Sequence, residues 1–222
     1  SLTEEQKKHI IGVQANLWRE YIPTYHHVEY MVLPRMAALS EVQWTLVSNK
    51  NYEDFLKRLL QFIDVYKLNQ YNYAKHIYEI SANYEQKDNA IYVKLKTIDN
   101  APVYFTTNGT VPDNNSNVFT SPLRIENNTI LKAVAFRGNE RSKELTEQIN
   151  FSKSTTKPIF ELQPINEQYK YNGVTTLVDG LKGNENFRSG RWIAWKDNDF
   201  EVLIDLKNST TINEIAVNAN VL

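Results

Sequence analysis

The spacing of apolar residues changes once along this chain, near residue 70, and that change limits what the chain can fold into. Before it, apolar residues recur every three or four positions: Val28, Met31, Val32, Met36, Leu39 and Val42, then Phe55, Leu59, Phe62, Ile63 and Tyr66. That spacing keeps one face of a helix apolar. From residue 90 onward they alternate: Ile91, Val93 and Leu95, then Val103 and Phe105, then Ile130, Val134 and Phe136. Alternation suits half-buried strands of an antiparallel sandwich. Helices in one block and strands in the next predict a multi-domain α+β chain.

Local signals refine this reading. The run 9–17 is expected to form a short buried strand, ending abruptly on Trp18, Arg19 and Glu20. A helix is expected over 27–45, with Pro34 kinking it or opening a new first turn. Asn51 is a good N-cap for a helix over 52–68, and Asp54 favours its positive end. The Leu59-Leu60 pair broadens the apolar stripe, so this helix should pack on something sizeable. Residues 71–85 are polar-aromatic and ambiguous. Asn108-Gly109 and Pro112-Asp113-Asn114-Asn115 are turn chemistry, and 153–158 (KSTTKP) is polar and linker-like.

Composition excludes several functions. The 222 residues carry a net charge of −1 with no basic block, which argues against nucleic-acid partners. Cysteine is absent, so disulfide and thiolate chemistry are excluded. No apolar run approaches the ~18 residues that a membrane span needs. His26 and His27 are adjacent and face opposite ways, so no metal-binding spacing is present and no metal or cofactor is expected.

Residues 12–45 pair Trp18 and Glu20 with Pro34-Arg35 and a closing Glu41-Val42-Gln43-Trp44. A buried strand that delivers an aromatic and a carboxylate to its end is how a (β/α) barrel presents its site. The arrangement strongly resembles the last strand and last helix of the catalytic barrel in family-twenty glycoside hydrolases, the β-N-acetylhexosaminidases. A second stretch, 103–142, offers Tyr104, Thr106-Thr107-Asn108-Gly109-Thr110, Pro112, Phe119, Pro122 and Lys132-Ala133-Val134-Ala135. It resembles the small Ig-like domain that follows that barrel in bacterial hexosaminidases, with Asn for the usual Asp before Gly and Phe119 for Tyr. A third, with Asp179-Gly180, Trp192, Trp195 and Asp205-Leu206, resembles the opening of a discoidin-like jelly roll. Its next strand is expected through Ile212, Ile215 and Val217.

The resemblance implies the end of a (β/α)8 barrel over 1–84, an Ig-like antiparallel β-sandwich over 85–152, a linker over 153–157 and a partial jelly roll over 158–222. It also implies a C-terminal piece of a larger enzyme, one that starts where the barrel is nearly finished. By resemblance, Trp18 forms a wall against a sugar's apolar face and Glu20 accepts bonds from its O4 and O6 hydroxyls. Arg35 and Glu41 are read as structural. The family's reaction is a substrate-assisted retaining hydrolysis needing an adjacent Asp and Glu. No Asp-Glu dipeptide occurs here, so no catalytic residue is assigned and the chain alone is expected to be inactive. The implied partners are glycans ending in N-acetylhexosamine, in a periplasmic or secreted setting. Self-association is expected if the 9–17 strand has lost its neighbours. The alternative is a non-enzymatic carbohydrate-binding or adhesion protein built of β-sandwich modules.

Overall fold

A computed structural model describes residues 2–186 and 188–219. The chain divides into two compact units, Ser1–Tyr78 and Glu79–Leu222. Among the described residues no helix is long and apolar enough to cross a membrane.

The first unit is helical. A short helix α1 (Glu4–Lys7) is held by a reciprocal cap between Thr3 and Gln6. Helix α2 (Tyr25–Val32) starts where the Thr24 hydroxyl accepts from the His27 amide. Pro34 divides the expected 27–45 helix: α2 stops at Val32 and α3 (Arg35–Trp44) begins directly after the proline. Helix α4 (Tyr52–Leu68) follows the expected bounds, with the Asn51 side chain accepting from Asp54 N–H. Its buried residues Leu59, Ile63 and Tyr66 join Leu33 and Tyr73 in a small core. Phe62, expected on the same stripe, is exposed but meets Tyr66 edge-on at 5.3 Å.

The expected barrel strand over 9–17 does not form. These residues are coil, all of them exposed, with Ile11 wholly so. A strand of that kind is paired on both edges, and no described strand lies in this unit. The run is tethered by α3, whose Gln43 amide donates to the Val13 carbonyl at 2.8 Å.

The second unit begins before residue 85. Strand β1 (Ser81–Lys87) takes up the end of the stretch that was ambiguous in sequence. It pairs with β2 (Ala90–Lys96) through a tight turn in which Asp88 and Asn89 both take left-handed φ. Asp and Asn tolerate that conformation better than other side chains, and such turns match the strand twist. Next come β3 (Val103–Thr106), β4 (Asn117–Val118), β5 (Leu123–Ile125), β6 (Thr129–Arg137), β7 (Glu140–Arg141) and β8 (Leu145–Ile149). One sheet runs β1-β2-β5; in the other, β6 carries β3 on one edge and β8 on the other, with β4 beyond β3. Ile91, Val93 and Leu95 from the first sheet meet Val103, Leu131, Ala133, Ala135 and Ile149 from the second in one core.

Two expectations fail beyond the sandwich. Residues 153–157 are no loose linker: Thr155 is buried, its hydroxyl accepts from Ser152 N–H, and Thr156 N–H donates to Val178 at 2.8 Å. The following region does form one antiparallel pair, β9 (Ile159–Glu161) with β10 (Val202–Ile204). The strand expected through Ile212, Ile215 and Val217 is instead exposed coil. Its backbone has no neighbouring strand among the described residues, and an extended segment needs one to satisfy its amides.

Candidate functional site

Trp18 and Glu20 sit at a turn that follows the exposed run. Trp18 precedes a single 3-10 turn, Arg19–Tyr21, closed by Ile22 N–H donating to the Arg19 carbonyl. Ile22 is buried and pins this turn to the unit. Trp18 itself is 78% exposed, and Glu20 is also exposed. The two side chains project from one turn onto open surface. An indole face and a carboxylate there can supply one wall and one acceptor of a site, not an enclosure.

Arg35 and Glu41 make definite contacts. The Arg35 guanidinium donates to the carbonyls of Tyr30 and Met31, both at 2.9 Å. These lie in the last turn of α2, where carbonyls lack helical partners. Glu41 accepts two parallel bonds from Arg58 of α4, each 2.9 Å, and Arg58 also reaches Asp54 at 3.0 Å. Arg58 holds the Glu41 carboxyl below its ordinary range. Glu41 thus ties α3 to α4.

A polar node that the sequence reading missed lies in the second unit. Along β8, Leu145, Glu147 and Ile149 share the face turned toward the core, so a carboxylate stands at an apolar register position. Glu147 is buried, and Arg191 reaches it at 2.7 Å. The Arg191 guanidinium also lies 5.8 Å from the centre of the Tyr84 ring on β1. Burial, seconded by the Glu147 charge, pushes the Tyr84 phenol up. Beside this node, Ile149 forms an antiparallel bridge with Leu181, and Asn150 N–H donates to the Gly180 carbonyl at 2.8 Å. The visible sign was the alternation Leu145-x-Glu147-x-Ile149; the partner, 44 residues on, carried none.

Asp179 sits at the same joint. Leu181 N–H donates to its carboxylate at 2.8 Å. Burial nonetheless pushes the Asp179 carboxyl up to about 6, against the pull of that N–H and of Arg191. Between the ordinary value of 3.8 and about 6, the folded chain keeps a proton that the unfolded chain releases. This contribution to stability therefore falls as pH rises through that window and is fully lost above it. Asp179→Asn keeps an acceptor oxygen and removes the charge. It is expected to stabilise the chain by roughly 1–3 kcal/mol at pH 7.5 and to have little effect at pH 4. Urea titrations at the two pH values check this; an equal effect at both would contradict it.

Trp192 and Trp195 are anchors of the region beyond the sandwich. Their indole N–H groups donate to the carbonyls of Asn184 at 2.8 Å and Gln163 at 2.9 Å. Among the described residues, no group of three His, Asp or Glu side chains could hold a metal ion.

The two units match different families. Residues 1–47 match the catalytic domain of glycosyl hydrolase family 20, and residues 93–149 match the family described as Fn3 associated. The resemblance of the N-terminal segment to family-twenty glycoside hydrolases therefore holds, and the sandwich is of a kind that accompanies such enzymes. A β-hexosaminidase of Porphyromonas gingivalis is 38% identical over 58 residues, 26% of this chain and 8% of the relative. One from Vibrio vulnificus is 53% identical over 45 residues, 20% of this chain and 5% of the relative. A β-N-acetylhexosaminidase of Cellulomonas fimi is 38% identical over 52 residues, 23% and 10% respectively. The matched stretches thus span a tenth or less of these relatives.

Proposed function

We propose that this chain is the C-terminal part of an exo-acting β-N-acetylhexosaminidase that removes terminal N-acetylhexosamine by substrate-assisted retaining hydrolysis. The observation that carries the reading is the family-20 match over 1–47, the segment that holds Trp18 and Glu20. In the assembled site, Trp18 packs against the sugar face and Glu20 accepts from its hydroxyls. Their exposure in this structure suits residues whose opposite wall is built by other parts of the protein. Hydrolysis also needs a general acid and a group that orients the acetamide, and this chain has no Asp-Glu pair. The 222 residues alone therefore bring recognition and no acid. Glycans with a terminal hexosamine, met in the periplasm or outside the cell, are the substrates this reading implies.

The test uses the complete protein and this chain side by side with a chromogenic N-acetylglucosaminide. The complete protein is expected to turn over and this chain is not. In the complete protein, Glu20→Gln is expected to weaken binding of N-acetylglucosamine by about 1–3 kcal/mol, the range for a hydrogen bond to a charged group. Turnover by residues 1–222 alone, lost with Glu20→Gln, would overturn the reading.

A further inference from the structure

An open cleft of about 360 Å³ lies in the second unit. Three segments build it: the turn 151–157 after β8, Asn89 in the β1–β2 turn, and residues 206–210 after β10. Its lining includes two lysines, Lys153 and Lys157, and among the described residues no Asp or Glu. The ammonium groups meet neutral oxygens. Lys153 donates to the Thr211 carbonyl, and Lys157 to the Asn89 side-chain oxygen at 3.3 Å. Two positive charges thus border a polar hollow without a carboxylate to balance them.

The hollow is built rather than incidental. Thr156 takes φ +63, a conformation rare for a β-branched residue and costly to hold. Its N–H bond to Val178, and Thr155 buried beneath it with its hydroxyl donating to the Asn150 carbonyl, fix the turn. The volume is at the low end for a ligand pocket, about one sugar ring. Ser152 and Asn208 add a hydroxyl and an amide to the lining, groups suited to ring hydroxyls.

We propose that this cleft binds one anionic sugar unit, a monosaccharide bearing a sulfate ester or a carboxylate, with Lys153 and Lys157 meeting the anion. The sugar half rests on the glycan reading above; the anion half rests on the cleft. Calorimetry on the 222-residue chain at low salt tests it with N-acetylglucosamine 6-sulfate, glucuronate, N-acetylglucosamine and inorganic sulfate. The two anionic sugars are expected to bind, the neutral sugar and free sulfate much more weakly. The Lys153→Gln, Lys157→Gln double variant should keep its melting temperature and lose about tenfold or more in affinity for them. No binding of either anionic sugar, or binding unchanged in the double variant, overturns the proposal. Free sulfate binding as tightly as the sulfated sugar overturns the sugar half. Such failures leave Trp18, Glu20 and the hexosaminidase assay untouched, because those residues belong to the other unit.

Discussion

Replacing Arg191 with alanine is expected to destabilise the second unit by about 2–4 kcal/mol, measured as the loss of unfolding free energy in urea. The cost is the carboxylate left behind. Glu147 is turned toward an apolar core, and its side chain is only 10% exposed. Removing one partner of a covered pair strands the other, which costs about 3–5 kcal/mol when both are deep; the 25% exposure of Arg191 lowers the figure here. The companion variant identifies the cause. Adding Glu147→Leu to Arg191→Ala removes the stranded charge and should recover most of the loss. If the double variant is as unstable as the single, the loss comes from packing around Arg191 and the ion-pair account fails.

A comparable loss, about 2–4 kcal/mol, is expected for Gly180→Ala. Gly180 has φ +73, and a Cβ there would lie 2.8 Å from the Asn150 carbonyl oxygen and 2.9 Å from an Ile91 methyl. The methyl can turn aside; the carbonyl belongs to the chain that closes β8. Left-handed backbone alone costs an alanine about 1–2 kcal/mol. Gly138 isolates that share: its φ is +62, and a Cβ there would meet open space. Gly138→Ala should therefore cost about 1 kcal/mol. Equal losses at the two glycines would show that Gly180 is not pressed against Asn150.

How much of this the sequence disclosed depended on the range of the interaction concerned. Helix α4 was legible to its ends, because the Asn51 cap, the acidic first turn and the Leu59–Ile63–Tyr66 spacing are local to it. The division at Pro34 was legible for the same reason. The strands of the sandwich showed in their alternation, although β1 hid among polar residues whose pairing depends on β2. Runs 9–17 and 212–217 were misread as strands. Their apolar residues state a wish for burial, but a strand exists only where a neighbour offers its edge. The motif around Trp18 and Glu20 was visible, and the comparisons support the family to which it points. The open geometry of that turn was not, since exposure depends on what stands opposite. Glu147 showed as a carboxylate out of place in an alternating strand. Nothing nearby named Arg191 as its partner.

The joint between the sandwich and the region after it bears on how such domains travel between genes. Arg191 reaches back 44 residues to Glu147, and Gly180 and Leu181 join the end of β8. A recombination crossover anywhere between 152 and 179 would transplant a sandwich with an unmatched carboxylate facing its core and a bare end on β8. The smallest piece that keeps this pair and this joint together is therefore residues 79–191. Shuffling that respects folding should carry residues 152–191 along with the sandwich.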